Sequence, residues 1–179
     1  TILCHLAAKV RGDFRILINA LLCRDKDLAP HFLPVDFSPS KAAMKNNVAT
    51  GRRAREAMAE DIPVLIFPSG FVSTAGKFGT GRAVDAPWTT FAAKLISDAR
   101  ANVVPIFFHG QNSRAFHIAS HLSECLRMAF LIREAKARFG TRFDVTIGDT
   151  LAYESLEGIK GRKALTHYLY DAVQQLAKA

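Results

Sequence analysis

The chain is poor in the residues that announce chemistry. Its three cysteines, Cys4, Cys23 and Cys125, are scattered and carry no metal spacing. That excludes a disulfide framework and points to a reducing compartment. No apolar run approaches the roughly 18 residues a helix needs to cross a bilayer. No charged-then-apolar leader is visible at the start, so neither a spanning segment nor a signal peptide is expected. The first residue is Thr1 rather than methionine, and the chain is expected to lack upstream sequence.

The usual nucleotide and nucleophile signatures are missing as well. A phosphate-binding loop needs Gly, four residues, then Gly-Lys-Ser/Thr, so that backbone amides wrap phosphate and the hydroxyl meets magnesium. Here five residues separate Gly70 from Gly76, and Lys77 is followed by Phe78. No Gly-x-Gly-x-x-Gly fingerprint occurs, and Ser69 lies in Pro-Ser-Gly without the Gly-x-Ser-x-Gly elbow that exposes a serine nucleophile. His117 and His121 stand at i, i+4 on a helical pattern, the spacing of two metal ligands. The intervening Ile-Ala-Ser lacks the glutamate of a zinc-protease helix and no third ligand is evident. Both are read as histidines of a polar helix face, and no metal is expected.

What is present describes a globular domain with a charge bias. The 179 residues are 49% hydrophobic and 22% charged, enough to bury a core as a single domain spanning 1–179. The 24 Lys and Arg against 16 Asp and Glu leave +8, which favours an anionic partner. No helix-turn-helix, zinc-finger or aromatic RNA-binding signature accompanies that charge, so nucleic acid is not the expected partner. Apolar β-rich runs at Phe14–Ile18, His31–Val35, Pro63–Phe67, Val103–Phe108 and Phe143–Ile147 read as strands. Helical patterns fill Ser40–Glu60, Pro87–Ala101, Ala115–Ala137 and Gly158–Ala177. The first places Met44, Val48, Gly51, Ala54 and Met58 on its core stripe, the third Ile118, Leu122, Cys125, Leu126 and Ala129. Strand–helix alternation predicts an α/β fold with a mainly parallel sheet flanked by helices.

Ligands of such sheets bind beyond the carboxyl ends of the strands. Three polar turns qualify: Asp36-Phe37-Ser38, Pro68-Ser69-Gly70 and His109-Gly110-Gln111-Asn112-Ser113. The second leads into the Ser73–Arg82 loop, which holds Lys77 and Arg82 and has no acid before Asp85. From Arg114 to Arg142 six basic residues face two acidic ones. The pattern fits a core helix with a solvated basic face, or an interfacial helix resting on anionic lipid.

The segments "HFLPVDF", "VLIFPSGFVST", Trp88, "VVPIFFHGQNSR" and "FDVTIGDTL", in this order, resemble the glycerolipid (lysophospholipid) acyltransferase family. The resemblance is closest to its hemolysin-type branch, which is bacterial and 1-acylglycerol-3-phosphate acyltransferase-like, and runs from about Phe14 to Leu176. It implies transfer of a fatty acyl group from acyl carrier protein or coenzyme A to a lysophospholipid or lyso-ornithine-lipid hydroxyl, with no further cofactor. The enzyme would sit in the cytoplasm, peripheral to the inner membrane, with an anionic membrane surface as partner. Phe67, Pro68, Ser69, Gly70, Phe71, Val72 and Ser73 fall on the family's third block. Its usual glutamate and arginine are replaced by Ser69 and Val72, which leaves Lys77 and Arg82 as the nearest cations for the acceptor's anionic group. His109 and Asn112 fall on the fourth block and would line the neighbouring strand end. A non-catalytic basic module that binds lipid or carrier remains the alternative.

The family's proton-transfer pair is a histidine with an aspartate five residues on. In this chain only His31 and Asp36 have that offset. They flank a strand, where positions five apart face opposite ways, and "PVD" falls on the second block. No catalytic residue is therefore assigned within the chain. The pair is expected upstream of Thr1, and the chain alone is expected to be inactive.

Overall fold

The computed structural model describes residues 2–20, 23, 29–36, 38–138 and 140–178. The chain divides into two compact units. One comprises Thr1–Gly70, Thr89–Val103 and Leu151–Thr166, and the other Phe71–Trp88, Val104–Thr150 and His167–Ala179.

In the first unit, three of the expected strands form one parallel sheet. β1 (Arg15–Asn19) is central, with β2 (Phe32–Val35) on one side and β3 (Val64–Leu65) on the other. The predicted Pro63–Phe67 strand is cut short because Phe67 already opens a turn at Pro68, which has no amide to offer a ladder. Parallel neighbours need crossover connections. α1 (Ile2–Arg11) precedes β1, and α2 (Lys41–Ala59) crosses from β2 to β3. α3 (Phe91–Ala99) and the short α6 (Tyr153–Leu156) complete the helices lying wholly within this unit. Among the described residues, no helix is long and apolar enough to cross a membrane.

α2 begins where its sequence says it should. Ser40 is the N-cap, its hydroxyl accepting from the Ala43 amide at 3.0 Å. The buried face of α2 differs from the expected stripe. Ala43, Thr50, Gly51, Ala54 and Ala57 are buried, whereas Met44 and Val48 are about 70% exposed (69% and 73%). Small side chains let the helix lie close: Leu17, Leu33, Ala54 and Leu95 form a core that Val35, Met58, Val64, Ile66 and Phe91 surround. Thr50 donates to the Pro34 carbonyl at 2.6 Å, and Asn47 exchanges two hydrogen bonds with the Asp36 peptide. A larger apolar stripe would have displaced these polar clasps between helix and strand end.

The second unit holds a separate antiparallel pair, β4 (Ile106–Phe108) with β5 (Val145–Ile147), matching Phe107 to Thr146. The alternation of apolar runs and helices predicted their existence but not this pairing. The expected Ala115–Ala137 helix is two helices, α4 (Arg114–Leu122) and α5 (Glu124–Ala137). Ser123 is extended between them and caps α5 through the Leu126 amide at 3.1 Å. That break resets the helical phase. The expected core residues Ile118, Leu122, Cys125, Leu126 and Ala129 are exposed, and Phe116, His117, Ala119 and Glu134 are buried instead. α7 (Arg162–Gln175) follows β5 and α6 in the chain.

The core of the first unit sets a stability test. Leu95 is 1% exposed, so Leu95→Ala should lower unfolding free energy in urea by about 2–5 kcal/mol. Val48→Ala, on the exposed face of α2, should stay within about 0.5 kcal/mol.

Candidate functional site

The turn after β3 closes on itself: the Gly70 amide donates to the Phe67 carbonyl at 2.9 Å, with Gly70 at φ +70°. A left-handed φ is what glycine supplies without steric cost. The Pro68 carbonyl accepts from the Thr89 amide (3.0 Å) and hydroxyl (3.1 Å), tying the turn to the start of α3. Ser69 is buried, while Phe67 is exposed. The Gly70 amide is thus committed within the turn, and further along the loop those of Thr74 and Ala75 also have partners within the protein.

The Phe71–Trp88 loop belongs to the second unit and is a pinned hairpin. Thr74 and Val84 exchange backbone hydrogen bonds of 3.1 and 3.0 Å. The Ala75 peptide is gripped from both ends by α4: its amide donates to His117 Nδ1 at 3.2 Å, and His121 Nε2 donates to its carbonyl at 2.8 Å. Because an amide can only donate, Nδ1 of His117 is the acceptor and its proton sits on Nε2. That Nε2 is buried and, among the described residues, makes no hydrogen bond of ordinary geometry. Gly79, at φ +65°, packs so closely that a Cβ there would stand 2.7 Å from the Arg114 carbonyl oxygen. At the far end Gln111 takes the Ala83 amide (2.8 Å) and donates to the Gly81 carbonyl (3.3 Å).

These clasps shape an open cleft of about 360 Å³ lined by Phe71, Val72, Thr74, Val84, Asp85, Ala86 and Arg127. Arg127 comes from α5, donates to the Val72 carbonyl at 2.8 Å and stands 5.7 Å from the centre of the Phe71 ring. Asp85 receives the Ser73 hydroxyl on Oδ1 and the Trp88 indole N–H on Oδ2, the latter at 3.0 Å. Trp88 in turn packs edge-on against Tyr170 with ring centres 5.3 Å apart. α5 is fixed by a buried carboxylate: Glu134 accepts the Ser113 amide (3.1 Å) and hydroxyl (2.5 Å) at the N-cap of α4.

The expected site residues therefore have different fates. Phe71 and Val72 line the cleft, and Ser73 braces its acid. Lys77 and Arg82, expected as the nearest cations, are both exposed on the loop beyond the Thr74–Val84 bridge, with Phe78 between them 78% exposed. The cation brought to Val72 is Arg127. His109 engages Thr146 on β5 through Nε2 at 2.7 Å, Asn112 is half-buried, and it is Gln111 that reaches the loop. Phe37 lies outside the described residues. His117 and His121 do not flank a metal position but hold a peptide, and His117 is fully buried rather than on a polar face. His31 and Asp36 sit at opposite ends of β2. His31 Nδ1 lies 3.0 Å from the Phe14 carbonyl, and Asp36 accepts from the Ser38 amide at 2.8 Å. A strand rises about 3.3 Å per residue, so some 16 Å separates the two.

Sequence reasoning missed Arg127, Asp85 and His117 as parts of one assembly. Arg127 was visible only as one of several basic residues on a helical pattern, and no spacing rule links it to a loop 55 residues earlier.

The class of the protein follows from its sequence match over most of the chain. The chain belongs to the acyltransferase family, whose model matches residues 3–166. It is similar to the lyso-glycine lipid O-acyltransferase of Phocaeicola vulgatus, 27% identical over 173 residues, which cover 92% of this chain and 58% of that protein. It is also similar to the lyso-glycine lipid O-acyltransferase of Bacteroides thetaiotaomicron, 26% identical over 179 residues, 92% of this chain and 60% of that one. The chain thus spans about three-fifths of the length of these relatives. No solved structure matches it.

Burial holds the His117 pKa below its ordinary 6.5, outweighing the Asn112 carbonyl and the charge of Glu134 that would raise it. The unfolded chain then takes up the proton first, so stability should fall as pH drops below about 6.5. Protonation would also turn Nδ1 from acceptor to donor and break the Ala75 clasp. Unfolding midpoints between pH 7.5 and pH 5 should show a smaller loss for His117→Asn, whose side-chain oxygen can still accept, than for the unaltered protein.

Proposed function

We propose that this chain is the acceptor-binding body of a lyso-lipid O-acyltransferase. In this reading a fatty acyl group leaves a thioester, carried by acyl carrier protein or coenzyme A, and joins a lyso-lipid hydroxyl. The observation that carries it is the family match over residues 3–166; the printed activity of the two relatives supports the lyso-lipid acceptor. The chemistry asks for a base to take the acceptor's proton and a donor set to stabilise the developing oxyanion. His31 and Asp36, about a strand's length apart, do not form the base, and we assign that role to the part of the enzyme beyond this chain. The alternative, a non-catalytic module that binds lipid or carrier, draws on the same separation of His31 from Asp36.

The same reading places the enzyme at a membrane surface. Leu122 and Ile132 are 70% and 57% exposed on α4 and α5, and Phe78 protrudes between Lys77 and Arg82. Apolar side chains standing clear of the surface among cations suit the interface of an anionic bilayer.

Full-length enzyme supplied with acyl carrier protein or coenzyme A thioesters and a lyso-lipid should yield the O-acylated lipid by mass spectrometry. His31→Ala and Asp36→Ala should each cost less than about tenfold in rate, whereas loss of a true base costs about 10²–10⁴. Binding of lipid without turnover on any donor would favour the non-catalytic module. Abolition of turnover by either substitution in a folded variant would place the base here.

Sedimentation with vesicles rich in phosphatidylglycerol should pull the enzyme down at low salt and release it as salt rises. Phe78→Asp should weaken that binding severalfold without changing the thermal midpoint. Equal binding to neutral vesicles, or no effect of Phe78→Asp, would count against the membrane face.

A further inference from the structure

We propose that the cleft between the Phe71–Trp88 hairpin and α5 holds the head group of an amino-acid-headed lyso-lipid, with Arg127 taking its carboxylate. The inference deepens the acyltransferase reading and rests on it for the tail and the hydroxyl.

The charge in the cleft selects the ligand class. Arg127 is the one cation among the lining residues and Asp85 the one acid, so the site has no net charge. A phosphomonoester, close to doubly negative at neutral pH, would be left with uncompensated charge beside Asp85. A head with one negative group and one hydrogen-bond donor would not. In an amino-acid head linked through its nitrogen, a carboxylate and an N–H stand on either side of a single carbon. The carboxylate matches the planar guanidinium fork, which donates two parallel hydrogen bonds, and the N–H matches a carboxylate oxygen.

Both protein groups are oriented before a ligand arrives. Arg127 is anchored by the Val72 carbonyl at 2.8 Å and has further N–H donors beyond that one bond. The Phe71 ring flanks it at 5.7 Å. Asp85 is held by Ser73 and Trp88, one donor to each oxygen, and each oxygen keeps a lone pair for a ligand. The remaining walls, from Val72, Val84 and Ala86 with Thr74 as their one polar member, are mostly apolar, and about 360 Å³ matches a head group and the first carbons of a chain, not a whole lipid. The cleft is open, which lets the tail leave it.

Trp88 supplies a readout independent of catalysis, because its indole N–H bonds to Asp85. In the full-length enzyme, N-octanoylglycine should change tryptophan fluorescence saturably, and Trp88→Phe should remove that change. The methyl ester should bind at least tenfold more weakly, and octyl phosphate should not bind more tightly than the glycine conjugate. Arg127→Gln should weaken the acid at least tenfold but leave the ester unchanged, and Arg127→Lys should fall between. Val84→Phe, which adds bulk to a residue lining the cleft, should block the probe with Arg127 intact, covering the case in which Arg127→Gln does not fold. Lys136→Gln, elsewhere on α5, should bind the probe as the unaltered enzyme does. Equal affinity for acid and ester, indifference to both Arg127→Gln and Val84→Phe, or preference for the phosphate would each overturn the site. Unchanged acceptor KM in folded Arg127→Gln would sink the site and leave the acyltransferase reading standing. Arg127-dependent probe binding with no turnover on any donor would do the reverse.

Discussion

The peptide of Ala75, held at its amide by His117 and at its carbonyl by His121, is the constraint on which the second unit depends. A hairpin of this composition, rich in Gly, Ser and Thr, has little apolar surface to bury and would otherwise pay full conformational entropy for one shape. Two histidines one helical turn apart both face the same side of α4 and can grip a single peptide from its two ends. The grip fixes the Thr74–Val84 bridge over α4, and the bridge sets where Phe71, Val72 and Asp85 stand. One cost is visible: burial holds the His117 imidazole neutral, and the clasp lasts only while its Nδ1 can accept.

α5 is positioned by an equally local device. Ser113 both caps α4 through the Phe116 amide and donates to the buried Glu134 carboxylate, so one residue joins the two helices. Arg127 lies seven residues before Glu134, two turns along the same helix face, so the carboxylate that anchors α5 also sets the register at which the guanidinium meets the loop. The break at Ser123 serves this arrangement. Without it, α4 and α5 would be one rod, and the stripe Ile118, Leu122, Leu126 would point inward in place of Phe116 and His117.

Much of the fold was legible because its signals are local. Apolar β-rich runs located the five strands found among the described residues to within a few residues, and Ser40 announced the start of α2 through its own capping bond. What stayed illegible was non-local. The helical stripe on α2 pointed to Met44 and Val48, but the buried face is the one whose small and hydroxyl side chains can clasp Pro34 and hold the helix close. No periodicity distinguishes a small-residue face that packs from a large-residue face that stays in water. The same limit applies to the site. The motif sequence led to the loop that carries the cleft, which Phe71 and Val72 line. Proximity in sequence suggested Lys77 and Arg82 as the nearest cations, and the one that reaches Val72 in space comes from another helix, Arg127.

That exchange of a loop cation for a helix cation bears on specificity. Lys77 and Arg82 are exposed and make no ion pair among the described residues. Their charge is available to a surface but is poorly suited to discriminate between head groups, because screened and flexible cations respond to charge more than to shape. Arg127 has lost that freedom: its position is set by the Glu134–Ser113 anchor and its orientation by the Val72 carbonyl. A guanidinium ordered in advance pays less entropy on binding and rewards only ligands that match its planar fork. On the proposed function, the basic excess of the chain divides between two tasks, diffuse attraction from the exposed loop and helix faces and selective contact from one residue inside the cleft. In that proposal only the second tells a carboxylate from a phosphate, and it uses the neutral balance that Asp85 provides.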